Sequence, residues 1–441
     1  MIVDNDGYSS NNEMNQGAGN QLYPNEPQRE TGQIKGMFLV GLLTGVVVSA
    51  LAASCIFIGI KFADVIQQRR VKPASTEHTA AENVVSDDTM AKLEAIEEVI
   101  EKYYYQEEDI NTDGMIEGMY AGVVASLGDP YSVYYTAEEW KEMMQETEGI
   151  YFGIGAYISL DKTTGFGKIN GVIENTPAQD AGLRENDIIY KIDGESAQGL
   201  DLTEIVSRIK GEEGTTVHLT IYREGEKDYL EMDVVRKQIE SPTVNYEMLE
   251  NNIGYIQITE FDDVTVNQFE EAMQAVQGAG AAGLILDLRS NPGGSLSAVV
   301  DISRQLLPEG LIVYTEDRSG ERVEYSCDGD REIRMPLVVL VNGNSASASE
   351  ILAGAIKDYG KGVLIGTTTF GKGIVQRILP LTDGTAIKLT VSAYYTPKGN
   401  NIHNIGIEPD IVCEFDADAY YDDGYDNQLD MAVKELSKLM R

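Results

Sequence analysis

Two short segments carry the residue types needed for acyl transfer without a histidine. NGNSASASEILAG (342–354) offers Ser347 where an apolar strand gives way to a helix. TTTFGKGIVQ (367–376) offers Lys372, followed by Gln376. A serine hydroxyl becomes a nucleophile when a neighbouring base takes its proton, and an amine kept neutral can be that base. The chain's three histidines, His78, His218 and His403, stand in no segment that reads as part of a triad.

Alone, a serine in an Ala/Ser run is a packing residue, and a lysine in GKG is a solvated one. Context changes both readings. The run LVVLV ends at Asn342-Gly343, so Ser347 falls near a helix N-terminus, where unpaired N–H groups point outward. An oxyanion is stabilised there, with the N–H of Ala348 as first donor. The second donor is expected from Gly293 or Gly294 of the SNPGG loop, because glycine lets backbone approach a bound peptide. A free lysine has a pKa of about 10.4, and burial lowers it toward a value useful for a base. Gln376 can orient the amine without adding a charge that would re-protonate it.

Other chemistries fit less well. The GxxxxGK[ST] phosphate loop is not met around Lys372. Glu350, not lysine, stands three residues after Ser347, against the S-x-x-K pairing of penicillin-binding enzymes, and G-x-S-x-G is absent there. No ligand cluster calls for a metal, and no cofactor is expected. Cys327 and Cys413 are too few for a disulfide framework and are read as unpaired.

The elements that must position these residues follow from periodicity. Residues 1–36 are polar and read as a disordered tail, 37–60 as an apolar transmembrane helix and 61–88 as a linker. Residues 89–149 form a small helical unit with a turn at GDPYSVYYT, and nothing in it reads as catalytic. Residues 236–412 alternate buried strands and helices, which implies a layered α/β core. Residues 413–441 are acidic and end in a helix.

Residues 150–235 are β-rich. FGIGA (Phe152, Gly153, Ile154, Gly155, Ala156) opens the segment, and a PA…AGL…DII run follows it. That order of elements resembles a PDZ domain, in which successive N–H groups of a glycine-rich turn hold a terminal carboxylate and a strand edge pairs with an extended peptide.

Composition bounds the partners. Lysine plus arginine number 34 against 72 aspartate plus glutamate, a formal net charge of -38, which argues against nucleic acid. Residues 37–60 carry no charge, and at about 1.5 Å per residue they exceed the roughly 30 Å core of a bilayer. The lipid bilayer is therefore an expected partner. Arg29 and Lys35 precede the span, while Lys61, Arg69, Arg70 and Lys72 follow it. That basic-inside count favours a cytoplasmic C-terminal part.

Taken together, DPYSVYY (129–135), the PDZ-like region, GYIQITEF (254–261), LILDLRSNPGGSL (284–296), VLVNGNSASASEILAGAIKDY (339–359), IGTTTFGKGIVQ (365–376) and VSAYYTPKGNNIHNIGIEPDI (391–411) resemble the carboxyl-terminal processing peptidases of family S41. The resemblance implies a tail-specific serine endopeptidase with Ser347 as nucleophile, Lys372 as general base, Gln376 as its orienting partner, and the N–H groups of Ala348 and Gly293 as the oxyanion hole. It implies protein or peptide substrates with accessible C-terminal tails, leaves a homo-oligomer open, and outweighs the basic count. The expectation is thus a single-pass cell-membrane protein with an extracellular catalytic part. The alternative is a non-catalytic scaffold that binds C-terminal peptides.

Overall fold

A computed structural model describes residues 83–441. The expected tail at 1–36, the apolar span at 37–60 and most of the linker lie outside them. The described residues fall into two units, one up to Glu108 and one over Asp109–Arg441. Among the described residues no helix is long and apolar enough to cross a membrane. The expected cell-membrane placement with an extracellular catalytic part is corrected accordingly. The helices that are described are amphipathic or short, and the stretch that carried the expectation is not among them.

In the first unit, α1 (Asp87–Tyr103) starts at a capping box between Ser86 and Thr89, with Asp87 and Asp88 set favourably in its first turn. In the second unit, α2 (Thr112–Ala125) leads through the DPYS turn to β1 (Val133–Tyr135) and α3 (Ala137–Glu148). Gly149 then ends α3 in the left-handed conformation at φ 69°.

The PDZ-like part contains β2 (Ile150–Gly153), β3 (Ala156–Leu160), β4 (Gly167–Val172), α4 (Pro177–Asp180), β5 (Ile188–Ile192), β6 (Glu195–Ser196), α5 (Leu202–Ile209), β7 (Thr216–Tyr222), β8 (Leu230–Val235) and β9 (Lys237–Glu240). Its sheet runs in the order β3-β4-β5-β7-β8, with β6 paired to β5, which leaves β3 as an edge. Ile169, Ile189, Ile205, Leu219 and Ile221 fill its core. The pair β2–β9 closes the entry and exit of this part.

The remaining core contains β10 (Val244–Leu249), β11 (Ile253–Ile258), α6 (Thr265–Gly278), β12 (Gly283–Asp287), α7 (Leu296–Ser303), β13 (Gly310–Asp317), β14 (Arg322–Cys327), β15 (Leu337–Val341), α8 (Ala348–Tyr359), β16 (Val363–Gly366), β17 (Ile374–Pro380), β18 (Ala386–Tyr395), β19 (Ile411–Val412), α9 (Ala417–Asp423) and α10 (Asn427–Leu439). A six-stranded sheet runs β10-β11-β12-β15-β16-β19 and is parallel except at β10.

Its central strands β12 and β15 are buried at every position because both faces are covered. Leu284, Leu286, Val339, Val341 and Leu364 join the α6–α7–α8 side, while Ile285, Val338, Leu340 and Ile365 meet Ala432 and Leu436 of α10. A second sheet, β1-β18-β13-β14 with β17 on β18, was not separable in the sequence. Through it β1 pairs with β18 in the register Val133↔Lys388.

Leu436 is fully buried and its side chain abuts Gly283 of β12. Leu436→Ala is expected to lower stability by about 2–5 kcal/mol, the usual cost of such a cavity. Urea unfolding followed by circular dichroism measures it.

Candidate active site

Ser347 stands at the junction between β15 and α8. Its backbone is held at φ 53° and ψ −111°, an uncommon conformation for a residue with a side chain. Three contacts fix it there. Its N–H donates to Glu350 Oε2 at 2.9 Å, its carbonyl accepts from the Tyr394 hydroxyl at 3.1 Å, and the same carbonyl starts the helix by accepting from the Glu350 and Ile351 N–H groups. The flanking serines differ. Ser345 and Ser349 are fully buried, and their hydroxyls donate to the carbonyls of Leu288 and Asn291. Only Ser347 is half-exposed.

The SNPGG loop lies against this junction. Buried Asp287 pairs with Arg289, which reaches on to Asp426. Burial disfavours the Arg289 cation, but these carboxylates outweigh it and raise its pKa. Asn342 ties the loop to the serine turn through the N–H of Ser290 at 2.9 Å. Gly293 sits at φ 106°, where a Cβ would lie 2.8 Å from Ser347 Cβ and 2.9 Å from the Ala348 nitrogen. Only glycine fits there. The Gly293 N–H itself donates to Asn291 Oδ1 at 2.8 Å, so its use for an oxyanion requires that bond to be exchanged.

Lys372 occupies the turn between β16 and β17. A Cβ on Gly371 would meet the Ile405 and Gly406 nitrogens at 3.0 Å, and one on Gly373 the His403 nitrogen at 2.6 Å. The two glycines thus let the turn lie flat on the loop around His403. The side chain of Lys372 is half-buried. Burial lowers its pKa and Lys388 adds to the effect, while Asp129 and Glu350 oppose it; the net direction is down.

One side chain joins the two turns. Glu350 is fully buried, and its carboxylate accepts from the N–H groups of Ser347, Gly371 and Lys372 and from the Thr369 hydroxyl. Sequence reasoning used Glu350 only to exclude a lysine at that position. Ser347-x-x-Glu350 has capping-box spacing, which was the available signal.

The structure brings Ser347, Ala348 and Gly293 together and tethers Lys372 to the same carboxylate. No hydrogen bond joins Lys372 Nζ to the Ser347 hydroxyl. Nζ lies instead 4.6 Å from the centroid of the Tyr131 ring. Gln376 donates to Thr390 Oγ1 at 3.2 Å, not to the lysine. Tyr131 and Asp129 belong to the helical segment from which no catalytic role was expected, and only the β1–β18 pairing reveals their place.

In the PDZ-like part, Phe152 and Gly153 end β2, and Ile154 and Gly155 form the turn into β3. Gly155 lies at φ 83° with its Cα against Thr176. The Ile154 carbonyl accepts from the Ala178 N–H, which docks the turn on α4. The Ile154 and Gly155 N–H groups have no acceptor among the described residues, and the free edge of β3 runs on from them beside α5.

Comparison with known proteins gives this architecture a class. The sequence profile of peptidase family S41 matches residues 252–413, that of a PDZ domain 168–223, and that of the activating protease CtpB N-terminal domain 49–139. The carboxy-terminal processing protease CtpA of Bacillus subtilis (strain 168) is 36% identical over 402 residues, covering 89% of this chain and 82% of that one. CtpB of the same organism is 34% identical over 355 residues, covering 79% and 73%. The carboxy-terminal-processing protease of Bartonella bacilliformis is 39% identical over 306 residues, covering 68% and 70%. Among solved structures, a photosystem II D1 C-terminal processing protease is 28% identical with a TM-score of 0.44, over 75% of this chain and 94% of that one. The first of these alignments spans nearly the whole chain, well beyond the peptidase core. The chain belongs to the carboxy-terminal processing proteases of peptidase family S41.

Glu350→Gln replaces one acceptor oxygen by a donor that faces N–H groups. It is expected to leave the protein folded but to reduce peptidase activity at least about tenfold, since a lost hydrogen bond to a charged group is worth roughly 1.5–3 kcal/mol. Casein hydrolysis beside a circular dichroism spectrum separates the two effects.

Proposed function

We propose that this chain is a serine endopeptidase that cleaves proteins recognised through their C-terminal tails. Ser347 attacks the scissile carbonyl, Lys372 takes its proton and returns it to the leaving amine, and Gln376 orients the lysine. The tetrahedral oxyanion is held by the N–H of Ala348 and by that of Gly293 once released from Asn291. A water then attacks the acyl-enzyme with Lys372 again as base. In the proposed division of labour, residues 150–235 bind the tail and residues 236–412 cut.

The observation that carries this reading is the shared Glu350 carboxylate. It tethers a positive-φ serine at a helix N-terminus to the turn of a half-buried lysine whose pKa is lowered. That combination brings an amine able to give up its proton near a serine at a helix N-terminus, which suits acyl transfer and which a packing serine does not require. The hydrolysis assay also separates this reading from a non-catalytic scaffold, which the open Lys372–Ser347 contact alone would permit.

Ser347→Ala is expected to lower turnover by at least about 10⁴-fold with folding intact, whereas Ser345→Ala and Ser349→Ala keep measurable activity. Lys372→Arg is expected to be nearly inactive, because a guanidinium does not accept the proton. Activity of the parent enzyme rises with pH as Lys372 loses its proton, with a midpoint below the ordinary lysine value of about 10.4. Full turnover in Ser347→Ala contradicts the assignment.

For the tail, Phe152, Gly153, Ile154 and Gly155 are proposed to hold the terminal carboxylate with the apolar side chain beneath. A free-acid peptide is expected to have a kcat/KM about tenfold or more above its amide, since the N–H groups lose a charged acceptor. Gly155→Val, which forces a side chain into Thr176, abolishes that difference. Equal values for acid and amide in the parent enzyme would leave the PDZ domain without a carboxylate-binding role.

A further inference from the structure

We propose that Tyr131 is a positioning residue for the lysine base: the face of its ring holds the Lys372 amine beside the site and presents it to Ser347. This rests on Lys372 being the base. Nζ lies 4.6 Å from the ring centroid, and no described residue accepts a hydrogen bond from it. A half-buried amine without an acceptor is costly, and a π-face is the one partner that compensates while leaving the nitrogen free to move. A carboxylate in the same place would hold the ammonium and keep it protonated.

The ring is not placed by chance. Asp129 accepts from the Tyr131 N–H at 3.0 Å and from the Ser132 hydroxyl at 2.6 Å. Ser132 in turn accepts from the Thr390 N–H at 3.2 Å, and Thr390 Oγ1 accepts from Gln376. One turn therefore clamps the ring under Lys372 and, through Thr390, the amide of Gln376. The β1–β18 ladder starts immediately after it.

The charged and titratable groups that face the amine are Asp129 and Tyr131 from this turn, Lys388 from β18 and Glu350 from α8. Lys388 has an aromatic seat of its own, 5.4 Å from the Tyr135 ring centroid. Both lysines are thus carried by rings of the DPYSVYY segment. Asp129 is disfavoured by burial, but bonds from Ser132, Thr390 and the Tyr131 N–H lower its pKa below the usual carboxylate value. It is spent on fixing the turn.

The test compares full-length Tyr131→Leu and Tyr131→Phe with the parent enzyme. Leucine still excludes water but has no π-face, so the ammonium loses its partner. The acid limb of the pH–rate profile is expected to move about half to one unit lower, and kcat at the plateau to fall about tenfold with KM within about twofold. Phenylalanine keeps the face and restores both. Independently of turnover, the pH dependence of Lys372 acetylation is followed by mass spectrometry in Ser347→Ala and in Ser347→Ala/Tyr131→Leu. Its midpoint is expected to move lower by the same amount. Tyr131→Met replaces leucine if the latter does not fold. An unmoved acid limb and labelling midpoint overturn the proposal, as does a Phe variant as impaired as Leu. Residual proteolysis by Ser347→Ala would instead indict the nucleophile, and the labelling would still report on the ring.

Discussion

Glu350 lies fully inside the core, and both of its carboxylate oxygens are filled by donors from the serine turn and the lysine turn. A carboxylate taken out of water is tolerated only when its lone pairs are met. Here that demand is satisfied by groups from two loops that share no local sequence. Oε2 is shared by the Ser347 and Lys372 N–H groups, so the requirement that Glu350 be solvated by protein holds the serine turn against the lysine turn. The same charge raises the lysine pKa, against burial and Lys388, which lower it. The net direction is down, which favours the neutral amine that the proposed base requires.

The strained backbone of Ser347 belongs to the same arrangement. A non-glycine residue at φ 53° costs on the order of 1–3 kcal/mol unless its surroundings hold it. The Glu350 carboxylate takes its N–H, and the buried Tyr394 hydroxyl and the first helical N–H groups take its carbonyl. With the backbone pinned, Ser347 Cβ stands beside Gly293. The Ser345 and Ser349 hydroxyls donate to the carbonyls of Leu288 and Asn291 and hold the loop together. In an Ala/Ser run the three hydroxyls look alike; the fold buries two of them on loop carbonyls and leaves the third, the proposed nucleophile, half-exposed.

Much of this was legible in the sequence, for local reasons. The helix expected after Ser347 is found as α8, because the apolar strand and the glycine turn that lead into it are readable within a few residues. Ser347 and Lys372 stood out through their local context, and the turns that carry them meet at Glu350. The C-terminal helix was equally readable, being amphipathic. What escaped was long-range. The strand Val133–Tyr135 has only three residues and its partner lies in β18, so no local period marks it. With it went Asp129 and Tyr131, read as part of a bare turn. The membrane placement rested on hydropathy in a stretch outside the described residues, and no described helix supports it.

The long-range part is also where Lys372 acquires its surroundings. Lys372 is on a surface turn by sequence, and a lysine amine in water is protonated at neutral pH. Its surroundings come from three distant places: the turn at 129–132, Glu350 on α8 and Lys388 on β18. Each acts in a known direction, and only burial against the assembled elements makes the sum negative. If β1 were unpaired from β18, the ring would leave the lysine, water would enter, and the amine would return toward its ordinary value. The lowered lysine pKa is therefore not a property of the GKG turn. It arises when the segment before the PDZ domain pairs with the sheet after it, so that the chain on both sides of that domain must be in register before the proposed base has its surroundings.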